Sequence, residues 1–200
     1  MKSFFSSWFL VSSALLLGLF LEDTAHEKQL RSLERQNERL RSESFQKGQR
    51  IQELSDRLDT ETVWLTRALI SETHKPQEMR FVAWVIRNRV EARHRGARTY
   101  KEVVLDPYQF SAFNPGSKVR TRYIQAQAAT EPFLWDTAFE IARDVIEAPP
   151  EENPVPGVTH FLSPVSMRSQ GIEYPGWYRE FDRVPVSEVH PDRFLFFRQG

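Results

Sequence analysis

The sequence predicts an α+β protein in which helices dominate the first half. Helical spacing of apolar residues covers most of the chain up to Val145, short aromatic runs bounded by turn residues punctuate the second half, and all twelve prolines lie at or after Pro76. With 200 residues and 40% hydrophobic content there is material for one sizeable core. The 27 basic and 27 acidic side chains cancel, so no global field exists to hold a phosphate backbone, and nucleic-acid binding would need a local patch. The absence of cysteine excludes a disulfide framework, a thiolate zinc site, a cysteine nucleophile and a lipidated N-terminal cysteine.

The chain reads in three parts: 1–21, 22–61 and 62–200. From Phe4 to Leu21 there are 18 residues without a charge. As a helix they extend about 27 Å, just enough to span a bilayer core. A transmembrane anchor is expected because no small-x-small cleavage site follows Leu21; a cleaved signal sequence, giving a secreted protein, is the other reading. Lysine and arginine counts alone would keep the bulk of the chain in the cytoplasm, since Lys28, Arg31, Arg35, Arg39 and Arg41 follow the span. The three-residue tail and the acidic flank Glu22–Asp23 favour export, which places the rest in the periplasm or at the cell surface.

Residues 22–61 have the composition of a solvated helix. Leu30, Asn37, Ser44, Ile51 and Leu58 fall at a positions, with Leu33, Leu40, Lys47 and Leu54 at d. The seam is apolar at its ends and polar in the middle, which predicts a coiled-coil stalk able to pair weakly, with a second copy or a partner coil, through residues 30–58. A single solvated stalk that pairs with nothing fits the same composition. Glu27 with Arg31 and Glu53 with Arg57 are spaced for i,i+4 pairs.

From Thr62 the spacing predicts a helix to Thr73, ended by His74, Lys75 and Pro76. Pro76 then opens a second helix, with Met79, Val82, Ala83, Ile86 and Val90 on its apolar positions and Gly96 as its stop. Leu134, Ala138, Ile141, Ala142 and Val145 mark a third. Residues 108–113, 159–162, 177–181 and 193–197 read as short strands or ordered loops, and 148–157 as a surface connection.

Glu72 is the candidate catalytic group. Leu65, Ala68 and Leu69 precede it by seven, four and three residues, so its carboxyl projects from the apolar face of its helix. Partial burial and the negative end of the helix dipole both disfavour the ionised form, which suits a general acid near neutral pH. A structural glutamate paired with Arg67, Arg89 or Arg93 satisfies the same spacing. Asn88 turns its amide inward from the second helix, as a core or a site residue. Gln109 and Ser111 flank Phe110, placing two hydrogen-bonding groups on one side of an extended segment and an aromatic anchor on the other. Trp177 is an aromatic able to stack on a ligand or to fill core, and His160 is able to line a cleft or to sit buried. Arg87, Arg89, Arg93, His94, Arg95 and Arg98 read as a solvated face and basic C-terminal turn of the second helix, and hence as no nucleic-acid site. The five histidines are scattered, so no metal site and no cofactor is expected.

The runs TRALISE, FVAWVIRNRV, YQFSAF, VTHFLSP and PDRFLFFRQ occur in that order across residues 62–200. Together they resemble the SleB-type cell wall hydrolases, a spore-cortex-lytic enzyme family with a lysozyme-like catalytic domain similar to lytic transglycosylases. The resemblance implies a catalytic domain over 62–200 whose substrate is peptidoglycan glycan, cut between N-acetylmuramic acid and N-acetylglucosamine. It implies that Glu72 is the acid/base and that Asn88, Gln109, Phe110, Ser111, His160, Phe161 and Trp177 lie along the substrate cleft. Two departures stand out. The usual A-R-G-E after the glutamate is replaced by Thr73, His74, Lys75 and Pro76, and the tyrosine common after T-H is Phe161. Readings from other classes are a non-catalytic bitopic coiled-coil envelope or division protein, and a degenerate domain that binds glycan without cutting it.

Overall fold

The structure, a computed structural model, describes residues 4–200; the side chains of residues 4–25, 52–55, 57 and 58 lie outside that description. The chain divides into two compact units, 1–55 and 56–200. Helix α1 (Phe4–Glu72) supplies the first unit and the opening element of the second. The expected anchor at 1–21 falls among the residues whose side chains are not described. Among the described residues no helix is long and apolar enough to cross a membrane. In the first unit Arg31 pairs with Glu27 at 3.0 Å, as its spacing predicts, and Arg39 with Glu43 at 2.9 Å. Leu30, Leu33, Leu40 and Ile51 are exposed along it. Leu54, Leu58 and the pair Glu53–Arg57 lie outside the described residues.

The second unit is built around α2 (Pro76–Glu91). Pro76 opens it because a first-turn residue needs no amide hydrogen and its fixed φ suits the helix. Phe81, Val82, Ala83, Trp84, Val85 and Ile86 form six consecutive buried positions, so the middle of α2 is apolar on every side, as only a central helix can be. The end of α1 packs Leu65, Ala68 and Leu69 into the same core, and α5 (Trp135–Glu147) adds Ala138, Ile141, Ala142 and Val145. α3 (Tyr100–Leu105) begins at a capping box, with Thr99 accepting from the Glu102 amide and Glu102 accepting from that of Thr99. α4 (Arg120–Ile124) and α6 (Pro164–Gln170) are short helices of one to two turns.

A three-stranded antiparallel sheet closes the unit, made of β1 (His160–Leu162), β2 (Asp182–Val184) and β3 (Leu195–Arg198) in the order β1-β3-β2. Register pairs His160 with Phe197 and Phe161 with Phe196. Side chains alternate between faces. Phe161 and Phe196 therefore join the main core, while Leu162, Leu195 and Phe197 form a smaller cluster with Trp177, Tyr178 and Phe181. Two of the four runs read as strands or ordered loops meet these strands. Residues 111–113 and 176–179 are 3-10 turns instead, the second opened by Pro175 and Gly176.

Arg87 and Arg89 correct the sequence reading. They are 8% and 3% exposed, not solvated. Arg87 donates through Nη1 to the carbonyls of Val145 (2.7 Å) and Ala148 (2.6 Å), capping α5. Asn88 donates to the carbonyls of Val155 (2.9 Å) and Val158 (2.8 Å), and its Oδ1 accepts from Asn153 at 2.7 Å. Arg89 donates through Nε to the Thr159 carbonyl at 2.6 Å. Three consecutive polar residues of α2 thus hold the segment from 145 to 159, which leads directly into β1, and the backbone carbonyls there find buried partners.

Candidate active site

Glu72 is the last residue of α1. Solvent reaches it, since it is only half-buried, yet protein surrounds its carboxyl as it would an interior group. Glu72 lines neither of the two concavities described below; its tie to the smaller one is the charge of Arg89. Burial pushes its pKa up to about 7, against an opposing pull from the Arg89 guanidinium. The two charges act on each other without a direct ion pair, so among the described residues Glu72 carries neither the salt bridge nor the side-chain hydrogen bond that a structural helix-end glutamate would show.

The loop after Glu72 is tightly tied. Glu78, 3% exposed, accepts from Arg193 at both Nε (3.1 Å) and Nη2 (3.0 Å), and the Thr73 hydroxyl donates to it at 2.5 Å. Lys75 Nζ lies 3.4 Å away. Burial alone would raise the Glu78 pKa; the hydrogen bonds from Arg193 and Thr73 and the nearby positive charges outweigh it and hold the carboxyl below its usual range. Residues 73–76, where the sequence departs from A-R-G-E, are therefore anchored by a network of this chain's own.

A concavity of about 960 Å³ between α2 and α5 contains none of the expected site residues. A smaller one of about 310 Å³ is lined by Arg89, His94, Arg95, Tyr108, Gln109, His160, Phe161 and Trp177. Four expected residues meet there: Gln109, His160, Phe161 and Trp177. Chemistry outweighs size here, because this cavity also contains Arg89, the residue coupled to Glu72. Phe110 is 1% exposed and lies behind the cavity, with the Arg89 guanidinium 5.4 Å from its ring centre. Ser111 is exposed at the start of a 3-10 turn and does not line the cavity, and Asn88 has its amide fully engaged in holding residues 155–158.

His160 sits among aromatic rings, 5.0 Å from Trp177, 4.8 Å from Phe181 and 5.2 Å from His94, with Nδ1 2.9 Å from the Thr159 hydroxyl. Burial, then the charges of Arg89 and His94, lower its pKa to about 4. The imidazole is thus neutral at pH 5–8, and its ¹⁵N and ¹³C shifts are expected to stay constant over that range; a titration midpoint near 6.5 would contradict this environment.

Sequence reasoning named Arg89 only as a partner for Glu72 and did not place Arg89, Arg95 or Tyr108 at a cavity. Arg95 pairs with Asp106 at 2.8 Å. Tyr108 is 84% exposed at the cavity edge with φ +66°, a left-handed conformation costly for a bulky residue. Its amide donates to Asn114 Oδ1 at 2.8 Å, which helps to hold that conformation. A strained backbone presenting an exposed ring beside a cavity is the kind of feature that clusters at ligand sites. The readable sign was the turn sequence Asp106–Pro107 just before it.

A sequence profile of the family described as Cell Wall Hydrolase matches residues 73–194. The chain belongs to the cell wall hydrolase family. The motifs that resemble the SleB type fall largely within this match, which begins one residue after Glu72. Membership makes the protein an enzyme acting on the cell wall, with peptidoglycan as the fitting substrate. No curated protein and no solved structure matches the chain. In the hydrolase, two aromatic side chains, Trp177 and Tyr108, line this cavity. Tyr108→Ala is expected to weaken binding of glycan fragments about two- to tenfold with little change in melting temperature, as titration calorimetry and thermal unfolding would read it.

Proposed function

We propose that this hydrolase cleaves the bond between N-acetylmuramic acid and N-acetylglucosamine by lytic transglycosylation, with Glu72 as the single acid/base. The observation that carries this reading is the Glu72 carboxyl, closing α1 within packed protein and held near half protonation at pH 7. Protonated Glu72 donates its proton to the glycosidic oxygen as the bond from muramic C1 breaks, leaving an oxocarbenium-like centre. The resulting carboxylate then takes the proton from the muramic C6 hydroxyl while that oxygen bonds to C1. A 1,6-anhydromuramic end forms, no water is consumed, and Glu72 is again protonated. One carboxyl suffices, whereas ordinary glycoside hydrolysis uses two at a defined separation.

A hydrolytic outcome has one observation in its favour: the Asp106 charge acts on the same Arg89 as Glu72 does. Asp106 is ion-paired with Arg95, however, which occupies it. Mass spectrometry of digested glycan decides between them. Anhydromuramic ends are expected, and reducing muramic ends in their place would overturn the lytic route. The apolar run at 4–21 is read as an anchor holding the catalytic unit outside the cytoplasm; a periplasm-dependent reporter fused after Gly200 that stays inactive would reverse that orientation.

A further inference from the structure

Among the described residues, one buried side-chain polar atom has no hydrogen-bond partner: Nη1 of Arg89. Arg89 is 3% exposed and lines the 310 Å³ cavity. Its pKa, lowered to about 10 mainly by burial, leaves it charged at neutral pH. Its environment offers no full balance for that charge. Asp106 is tied to Arg95 at 2.8 Å, Glu72 is only about half ionised at pH 7 and makes no ion pair with Arg89, and the two cavity histidines are both held below their usual range. The guanidinium is fixed from behind by the Nε bond to the Thr159 carbonyl and by the rings of Phe110 and Phe161, 5.4 and 5.7 Å from its centre. A buried, immobilised cation with a free N–H, beside a cavity containing the Gln109 amide and the Trp177 ring, is built to accept an anion attached to something with hydroxyls and an apolar face.

We infer that the cavity is a carboxylate subsite, in which Arg89 binds a carboxylate carried by the glycan substrate. This rests on the peptidoglycan reading above. Phosphate is a poorer fit, since the second cation at the cavity, Arg95, is already paired with Asp106, and one unpartnered guanidinium nitrogen in a cavity at the small end of ligand sites suits a single planar carboxylate. In peptidoglycan that group is either the lactyl carboxylate of a muramic residue whose peptide has been removed, or a carboxylate of the stem peptide. The first source makes the hydrolase selective for peptide-free strands, so that an amidase-type reaction must precede it. The second makes it selective for peptide-bearing strands.

The test is titration calorimetry of the full chain carrying Glu72→Gln against four ligands: peptide-free glycan oligosaccharide, the same after methyl esterification of its lactyl carboxylates, the peptide-bearing oligosaccharide, and a chitooligosaccharide of equal length. The carboxylate-bearing ligand is expected to bind about ten- to a hundredfold more tightly than its uncharged counterpart. Tightest binding of the peptide-free acid identifies the lactyl carboxylate, and tightest binding of the peptide-bearing strand identifies the stem peptide. Equal affinity for all four, or no binding, overturns the subsite. Arg89→Lys, checked first for cooperative unfolding, is expected to narrow the discrimination; should it not fold, the ligand series on the Glu72→Gln chain still decides. Cleavage by the wild-type chain is scored separately. Carboxylate-dependent binding without any cleavage removes the catalytic reading and keeps the subsite, while cleavage indifferent to esterification, with equal affinities, does the reverse.

Discussion

Glu72→Gln is expected to lower glycan cleavage by about 10²–10⁴-fold, the usual contribution of a positioned general acid, while making the folded protein more stable at alkaline pH. The second half separates loss of chemistry from loss of fold. The folded pKa of Glu72, about 7, lies above its ordinary 4.5, so the folded state holds the proton more tightly and wild-type stability falls as pH rises from about 4.5 to about 7. Glutamine has no proton to lose and suffers no such decline. The gap corresponds to about 3 kcal/mol, which solvent access to a half-buried group reduces to about 1–2 kcal/mol, or roughly 2–8 °C in melting temperature. At pH 4 the two proteins should melt together. An active Glu72→Gln enzyme removes Glu72 from the mechanism, and identical melting at pH 8 removes the burial argument for its raised pKa. In wild type, kcat/KM should fall tenfold per pH unit above about pH 7, since the acid form is required.

Arg193→Met is expected to cost about 2–3 kcal/mol, because it leaves the Glu78 carboxylate buried without its bidentate partner. Thr73 and Lys75 still attend that carboxylate, which keeps the loss below the upper end for a broken buried pair. The pH dependence has the opposite sign to that of Glu72. Glu78 has a lowered folded pKa, so its stabilisation is present above about 4.5 and disappears as pH falls further; the difference between wild type and Arg193→Met should shrink toward pH 3. A double-mutant cycle with Glu78→Gln measures the coupling, and a value near zero would show that the pair does not hold the loop. Because Thr73 follows Glu72 directly, kcat should fall in Arg193→Met even where the protein remains folded.

Much of the architecture was legible in local pattern. The start of α2 at Pro76 follows from proline chemistry, and the inward direction of Glu72 from its three apolar neighbours at helical spacing. Long-range polar contacts left no local mark. Arg87 and Arg89 bond to carbonyls 58–70 residues away, and a basic residue on a helix reads by default as solvated. One sign was available: six consecutive apolar residues directly before Arg87 leave that part of α2 no solvated face, so the arginines that follow had to be buried or at the very end of the helix. The helices α3, α4 and α6 span five to seven residues, too short for periodicity to register, although Thr99 with Glu102 spelled out a capping box. Within the site, Gln109, His160, Phe161 and Trp177 converge on one cavity. Ser111 and Asn88 do not, the one because the chain turns at 111, the other because its amide holds a loop.

The central strand of the sheet is the last of the three to be synthesised. β1 and β2 pair with β3 and not with each other, so until residues 195–198 emerge neither has a neighbour, and the wall carrying His160 and Phe161 cannot form. A nascent chain already containing Glu72, α2 and the loop at 108–110 would therefore still have an unfinished cavity.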